Sequence, residues 1–84
     1  MHDGPVVTVR YWAGARAAAG REEEAVEADT VGELLTALSA RPSLGRVLGA
    51  ASLLVDGEAV RRDDSEHELV TGSVVDVLPP FAGG

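Results

Sequence analysis

The sequence predicts an α+β domain in which one main helix packs across a small mixed sheet of about four to five strands. Short runs of β-branched residues, separated by turn-forming residues, indicate the strands. The clearest helical spacing of apolar residues falls in a single segment between the second and third runs. For the order strand, strand, helix and several strands, a right-handed crossover places the first strand beside the last, both in the centre.

The first strand is predicted over residues 6–12, where β-branched and aromatic side chains predominate. Within it, Val7 and Val9 share one face with Tyr11. A glycine-bounded stretch of small residues follows and indicates a connection with room for a helical turn. A second, half-exposed strand is predicted over residues 24–28.

The main helix is predicted to begin at Thr30, because Thr30 and Glu33 have the spacing of a capping box. Pro42 is expected to end the helix, and residues 44–48 indicate a second short helical turn. The apolar residues of the main helix share one face: Val31, Leu34, Leu35 and Leu38.

The remaining chain is predicted to complete the sheet. Residues 51–55 read as a strand that ends in a tight Asp-Gly turn. A polar loop follows over residues 61–66, and then a short element over residues 67–70. The final strand is predicted over residues 74–78, and its central position makes it a rigid base for whatever follows.

Composition limits the classes of function. A chain of 84 residues is expected to form a single domain over 1–84 with one modest core. The absence of cysteine and lysine excludes disulfides, Cys-zinc sites, thiol nucleophiles and Schiff bases. The net charge of −7 disfavours nucleic acid as a partner. No apolar run approaches the roughly 20 residues of a membrane span, and the first residues do not resemble a signal peptide. A cytoplasmic location with no membrane partner is therefore expected.

No catalytic or metal site is expected in the body of the chain. His2 and His67 are the only histidines, whereas a metal site or a catalytic triad needs a cluster of suitable side chains. The acidic runs 22–24 and 63–64 are interpreted as solvated surface, because adjacent side chains point in different directions.

The last residues carry most of the information about function. Pro79 and Pro80 lack the N–H groups that continue a strand ladder, so they turn the chain outward. Phe81 lies beyond any core and is a candidate anchor in the groove of a partner. Gly83 and Gly84 carry no Cβ and fit a narrow channel. This pattern predicts that the Gly84 carboxylate is the reactive group of the protein.

Several segments match one known family. Residues 9–16 with Gly20 look like its first strand, with an aromatic–Ala–x–x–Arg signature, and residues 55–58 look like its middle turn. The most specific segment is 78–84, in which two prolines precede the diglycine. On these residues the chain resembles the MoaD/ThiS sulfur-carrier proteins, with the molybdopterin branch the best match. One departure is Gly-Ser-Val at 72–74, where relatives usually carry Gly-Asp-Glu.

The resemblance implies a ubiquitin-like β-grasp fold with an extended diglycine tail, and it implies chemistry at the tail. An E1-like activating enzyme of the MoeB/ThiF type would use ATP to adenylate the Gly84 carboxylate. Sulfide or a persulfide would then displace AMP and leave a thiocarboxylate. The chain itself would bind no cofactor and would not be an enzyme alone.

The resemblance also implies a role for each residue near the tail. As the small subunit of molybdopterin synthase, the chain would insert a flexible functional tail, 79–84, into a large subunit of the MoaE type that supplies the catalytic side chains. Ala82 and Gly83 would give clearance in that channel, and Pro79 and Pro80 would hold the tail out. Apolar contacts with partners would come from Val77, Leu78 and Phe81.

Alternatives remain open at this point. Related carriers supply sulfur for thiamine, cysteine, thiolated tRNA or secondary metabolites, and the acceptor is chosen by the partner. Alternatively, the chain is a β-grasp binding module that uses its sheet surface and leaves the tail idle. Trp12 is expected on the face opposite Tyr11, where it either covers the strand edge or lies at a partner interface.

Overall fold

The computed structural model describes residues 4–61 and 63–80, which form one five-stranded mixed sheet with three helices on one face. The strands are β1 (Val6–Tyr11), β2 (Glu23–Glu27), β3 (Ser52–Val55), β4 (Glu58–Val60) and β5 (Val74–Leu78). The helices are α1 (Gly14–Ala19), α2 (Val31–Ser39) and α3 (Pro42–Leu48). The α+β prediction is confirmed.

The strand order across the sheet is β2-β1-β5-β3-β4. β1 and β5 run parallel, with Thr8 beside Val74 and Tyr11 beside Val77. The other neighbouring strands are antiparallel. The first strand therefore lies beside the last, as predicted, and β5 is the middle strand of the sheet.

The core lies between the sheet and the helices. Alternate residues of the strands point into it, because side chains of a strand alternate between its two faces. The fully buried members from β1, β5 and α2 are Val7, Val9, Tyr11, Val75, Val77, Val31, Leu34 and Leu38.

The helical segments differ from the prediction in one respect. The Thr30 hydroxyl accepts a hydrogen bond from the Glu33 backbone N–H at 3.2 Å, so the predicted cap is confirmed. α2 ends at Ser39, before Pro42, and Pro42 is the first residue of α3. Proline suits that position because the first helical N–H has no partner within the helix. The connection after β1, where a helical turn was expected, contains the six-residue helix α1.

The tight turn between β3 and β4 is confirmed. Asp56 and Gly57 have positive φ angles of 50° and 85°, as a two-residue hairpin turn requires. The Asp56 side chain also accepts a hydrogen bond from the Val74 backbone N–H at 2.9 Å. The short element predicted over 67–70 is reduced to an isolated bridge between Thr30 and Glu68.

A close approach fixes the start of α2 against the loop before β5. The Gly32 backbone N–H donates to the Ser65 carbonyl at 2.9 Å, and the Val31 N–H donates to the His67 carbonyl at 3.0 Å. A Cβ atom on Gly32 would lie only 2.9 Å from both the Cβ and the carbonyl oxygen of Ser65. The loop therefore caps the helix and leaves room for glycine alone.

Replacing Gly32 by alanine is expected to destabilise the fold relative to Gly14→Ala by about 1–3 kcal/mol, the usual cost of overpacking. Gly14 is the matched control, because it is also in the first turn of a helix and a Cβ there meets nothing within 4 Å. The gain in helix propensity is similar for both variants and cancels in the comparison. Urea unfolding measures the difference, and equal stabilities would contradict the close approach.

Candidate functional site

The end of β5 is the base from which the tail leaves the sheet. β5 lies between β1 and β3, and its last residues are paired on both sides, with Tyr11 beside Val77 and Ser52 beside Leu78. The residue after β1 continues this pairing, because the Trp12 backbone N–H donates to the Val77 carbonyl at 3.2 Å. The base of the tail is thus held by two neighbouring strands.

The structure changes the roles predicted for two residues near the tail. Val77 is 0% exposed in the core, so the prediction that its side chain contacts partners is wrong. Leu78 is half-buried on the opposite face and remains a candidate for that contact. Pro79 is buried rather than exposed, and Pro80 is the first exposed residue after β5. The other predicted tail residues lie outside the described part of the chain: Phe81, Ala82, Gly83 and Gly84.

The face of the sheet opposite the helices carries a cluster of Arg10, Trp12 and Asp76, here called the tail-root cluster. Arg10 Nε donates to Asp76 Oδ1 at 2.7 Å, and Arg10 Nη2 donates to Oδ2 at 3.2 Å. Trp12 Nε1 donates to Asp76 Oδ1 at 2.9 Å. The Arg10 guanidinium carbon lies 5.7 Å from the centroid of the Trp12 ring, within the range of a cation–π contact.

Asp76 is only 6% exposed although it lies on a face that the helices leave uncovered. Arg10 and Trp12 satisfy its carboxylate oxygens, and a buried carboxylate needs such partners. The hydrogen bond from Arg10 holds the pKa of Asp76 below its ordinary value of 3.8; burial opposes this shift, and the Trp12 N–H adds to it.

This shift predicts a loss of stability in acid. Because the folded-state pKa of Asp76 lies below the unfolded value, the stabilisation is present above pH 3.8 and is lost as the pH falls through the folded pKa. Asp76→Asn is expected to cost roughly 1.5–3 kcal/mol at neutral pH, the usual range for hydrogen bonds to charged groups. The difference from wild type should shrink below pH 3.8, and urea unfolding across this range measures it. A constant difference would contradict the assignment.

The sequence left two interpretations of Trp12 open: the side chain covers a strand edge, or it lies at a partner interface. It lies on the face opposite Tyr11, as predicted, and its indole N–H is bound to Asp76. Its side chain is therefore attached to β5, the middle strand of the sheet, rather than to a strand edge. The residue is also 40% exposed, so its place at a partner interface stays a prediction.

A second polar network lies on the core side of the same end of the sheet. The Tyr11 hydroxyl donates to Glu24, and Arg41 Nη2 donates to Glu24 and, at 3.1 Å, to the Tyr11 oxygen. Burial raises the pKa of Glu24, but the hydrogen bonds from Tyr11 and Arg41 and the Arg41 charge outweigh burial and lower it overall. Burial, followed by the hydrogen bond to Glu24, raises the pKa of Tyr11. The prediction that the run 22–24 is solvated is wrong for Glu24, which joins β1 and β2 to the start of α3.

His67, the histidine in the described part of the chain, contacts neighbouring elements of the fold. His67 Nδ1 lies 3.7 Å from Asp64 Oδ2, and the backbone of His67 caps α2. Within residues 4–61 and 63–80, no group of three or more His, Cys, Asp or Glu side chains is placed to hold a metal ion. None of the helices in these ranges is long and apolar enough to cross a bilayer.

The sheet order, the helix packed across it and the central last strand define a ubiquitin-like β-grasp protein whose sequence ends on a diglycine. The model of the ThiS family matches residues 9–84, and the chain belongs to this family of ubiquitin-like sulfur carriers. The resemblance inferred from the sequence is thus confirmed. No curated protein matches the chain.

Solved structures share the fold. The small archaeal modifier protein 1 from Methanosarcina acetivorans matches with a TM-score of 0.81 and 25% identity, over 99% of this chain and 100% of that one. A Pyrococcus furiosus protein assigned as molybdopterin converting factor, subunit 1, matches with a TM-score of 0.79 and 26% identity, over 93% and 100%. In a complex of subunits 1 and 2 of the molybdopterin-converting factor from Helicobacter pylori 26695, the matched chain has a TM-score of 0.77 and 24% identity, over 94% and 99%.

Proposed function

We propose that this chain carries sulfur on its Gly84 carboxylate, as a thiocarboxylate, and donates it to an acceptor bound by a partner enzyme. The observation that carries the proposal is the course of the chain after β5. The middle strand of the sheet is paired on both sides and leads into a buried Pro79 and an exposed Pro80, after which the sequence continues with Phe-Ala-Gly-Gly. The match of the ThiS family model through residue 84 supports the same role.

The tail needs activation because its carboxylate, with a pKa of about 3.5, is ionised and a poor electrophile at neutral pH. In the proposed reaction a carboxylate oxygen attacks the α-phosphorus of ATP, pyrophosphate leaves and an acyl-adenylate forms. Sulfide then attacks the acyl carbon, and the bond to AMP breaks with its electron pair on AMP. Loss of the sulfur-bound proton leaves the thiocarboxylate. An E1-like activating enzyme of the MoeB/ThiF type binds the ATP, and this chain supplies the acyl group.

Among sulfur carriers, we propose that this chain acts as the small subunit of molybdopterin synthase. The Pro-Pro step before the tail and the 26% identity to a protein assigned as subunit 1 of a molybdopterin converting factor support it. A large subunit of the MoaE type would receive the tail and supply the catalytic side chains, while Leu78 and Phe81 make the apolar contacts.

A second candidate function is attachment to other proteins. Its support is the similarity to a protein named as a small archaeal modifier, at 25% identity over 99% of this chain. Both functions share the adenylation step, but they differ in the nucleophile that follows. Sulfide gives a thiocarboxylate, whereas a lysine amine gives an isopeptide bond.

The proposed function is tested by the intact mass of the untagged chain after incubation with its activating enzyme, ATP and sulfide. The expected result is a mass gain equal to the exchange of one oxygen for sulfur, dependent on ATP. Adding a large subunit of the MoaE type and cyclic pyranopterin monophosphate should then return the chain to its original mass. Loading without return would point to another acceptor. A chain that an active enzyme leaves unchanged would exclude the carrier role and favour a binding module.

A further inference from the structure

The tail-root cluster of Arg10, Trp12 and Asp76 places a charged side chain in an unusual position. Asp76 lies in the middle strand of the sheet, directly before the buried Val77, and it is the strand's one charged residue. Its immediate neighbours on the same face are Leu54 of β3 and Arg10 of β1. A leucine or valine at this position would extend the apolar surface of the sheet.

The cluster fixes the orientation of the Trp12 indole. The backbone N–H of Trp12 is bound to Val77, and its side-chain N–H is bound to Asp76, so both ends of the residue are attached to β5. Arg10 holds the same carboxylate through two hydrogen bonds and lies over the ring. An exposed tryptophan without these bonds would sample several rotamers.

Stability alone does not account for this arrangement. Replacing an ion pair of this kind by apolar residues of similar volume is often neutral or stabilising, and the best-attested use of such pairs is to specify one geometry. Here the pair fixes the position of the Trp12 ring, which is 40% exposed and lies beside the end of β5, the strand that precedes the tail. A ring held in one rotamer before association avoids the ordering cost that a mobile side chain pays on binding.

We propose that Arg10 and Asp76 are positioning residues that hold Trp12 as a preformed aromatic surface for the protein that activates the tail. The inference rests on the proposed carrier function. The fitting partner surface has an apolar patch for the ring and a carboxylate for the N–H groups of Arg10 that Asp76 does not use, since the Arg10 side chain is 45% exposed. Leu78 follows Asp76 by two residues on the same face of β5, so the surface lies beside the base of the tail that the activating protein must reach.

The free chain offers a direct test, because Trp12 is its single tryptophan. In Asp76→Ala the indole loses its acceptor, and time-resolved fluorescence anisotropy should show a new fast component. Asp76→Asn should behave as wild type, since the amide oxygen still accepts from the indole. Glu23→Ala is the matched control, because it removes the carboxylate across from Arg10 and leaves the acceptor of the Trp12 indole, Asp76, in place. Unchanged anisotropy in Asp76→Ala would overturn the positioning role.

The activation kinetics test the consequence for the partner. With the activating enzyme and ATP, Asp76→Ala should raise the KM for this chain about three- to tenfold and leave kcat unchanged, because ordering costs affect association. The double variant Arg10→Met/Asp76→Ala removes the whole pair without leaving an unpaired charge, and it should show the same KM. Wild-type KM in both variants would overturn the inference while the carrier function stands. Failure of the wild-type chain to become adenylated would instead remove the proposed function and this inference with it.

Discussion

Removal of Gly84 is expected to abolish sulfur loading and to leave the stability of the fold unchanged. The shortened chain still ends on a glycine carboxylate, but that carboxylate lies about 3.5 Å closer to the sheet along an extended chain. A misplacement of about 1 Å can cost a hundredfold in rate, because the reacting atoms must approach within roughly 3–3.5 Å. The loss of loading is therefore expected to be complete within the sensitivity of intact-mass measurement.

The control for this deletion is a variant that keeps the length of the tail and changes one of its side chains. Exchange of Phe81 for leucine keeps an apolar side chain at the same distance from the end and should still permit loading. Urea unfolding of the deletion should match wild type, since the buried residues end at Pro79 in the described part of the chain. Full loading of the chain without Gly84 would show that the position of the terminal carboxylate is not what the activating enzyme requires.

Local signals in the sequence predicted the elements that support the tail. The final strand has the predicted bounds, Val74–Leu78, because a β-branched run between a glycine turn and a proline leaves little freedom. The helix from Thr30 was predictable for a similar reason, since its cap and its apolar spacing agree. The start of α3 was less clear, because a proline that ends one helix also suits the first turn of the next.

The polar contacts of the site could not be predicted from local patterns. Glu24 looked like part of a solvated acidic run, and its partner Arg41 is 17 residues away. Arg10 and Asp76 are separated by 66 residues, and they meet only because β1 and β5 pair in parallel with Arg10 beside Asp76. A charged residue inside an apolar strand was the available signal, because such a residue needs a partner when it is buried.

The two faces of β5 also explain why one partner residue was wrongly predicted. The run from Val74 to Leu78 contains four apolar residues, so its composition does not show which of them point to the core. The structure places Val77 among the helices and Leu78 on the open face. Of these two adjacent residues, Val77 therefore stabilises the core, and Leu78 remains the candidate for partner contact.

Val77→Asp is expected to unfold the domain, whereas Leu78→Asp should leave it folded. The Val77→Asp variant loses the burial energy of a fully buried valine and places a carboxyl group in the core without a partner. Together these two effects lower the free energy of unfolding by about 5 kcal/mol or more. The total stability of small domains is itself about 5–15 kcal/mol. The half-buried Leu78 faces solvent on the open side, where a carboxylate keeps much of its hydration and costs roughly 1 kcal/mol.

Circular dichroism and urea unfolding distinguish the two variants, and loading kinetics then separate stability from recognition. Leu78→Asp should show native secondary structure, a cooperative transition and a raised KM for the activating enzyme, because a charge replaces an apolar contact at the base of the tail. A folded Val77→Asp would mean that this residue does not lie in the core. A folded Leu78→Asp with wild-type KM would remove Leu78 from the interface with the activating enzyme.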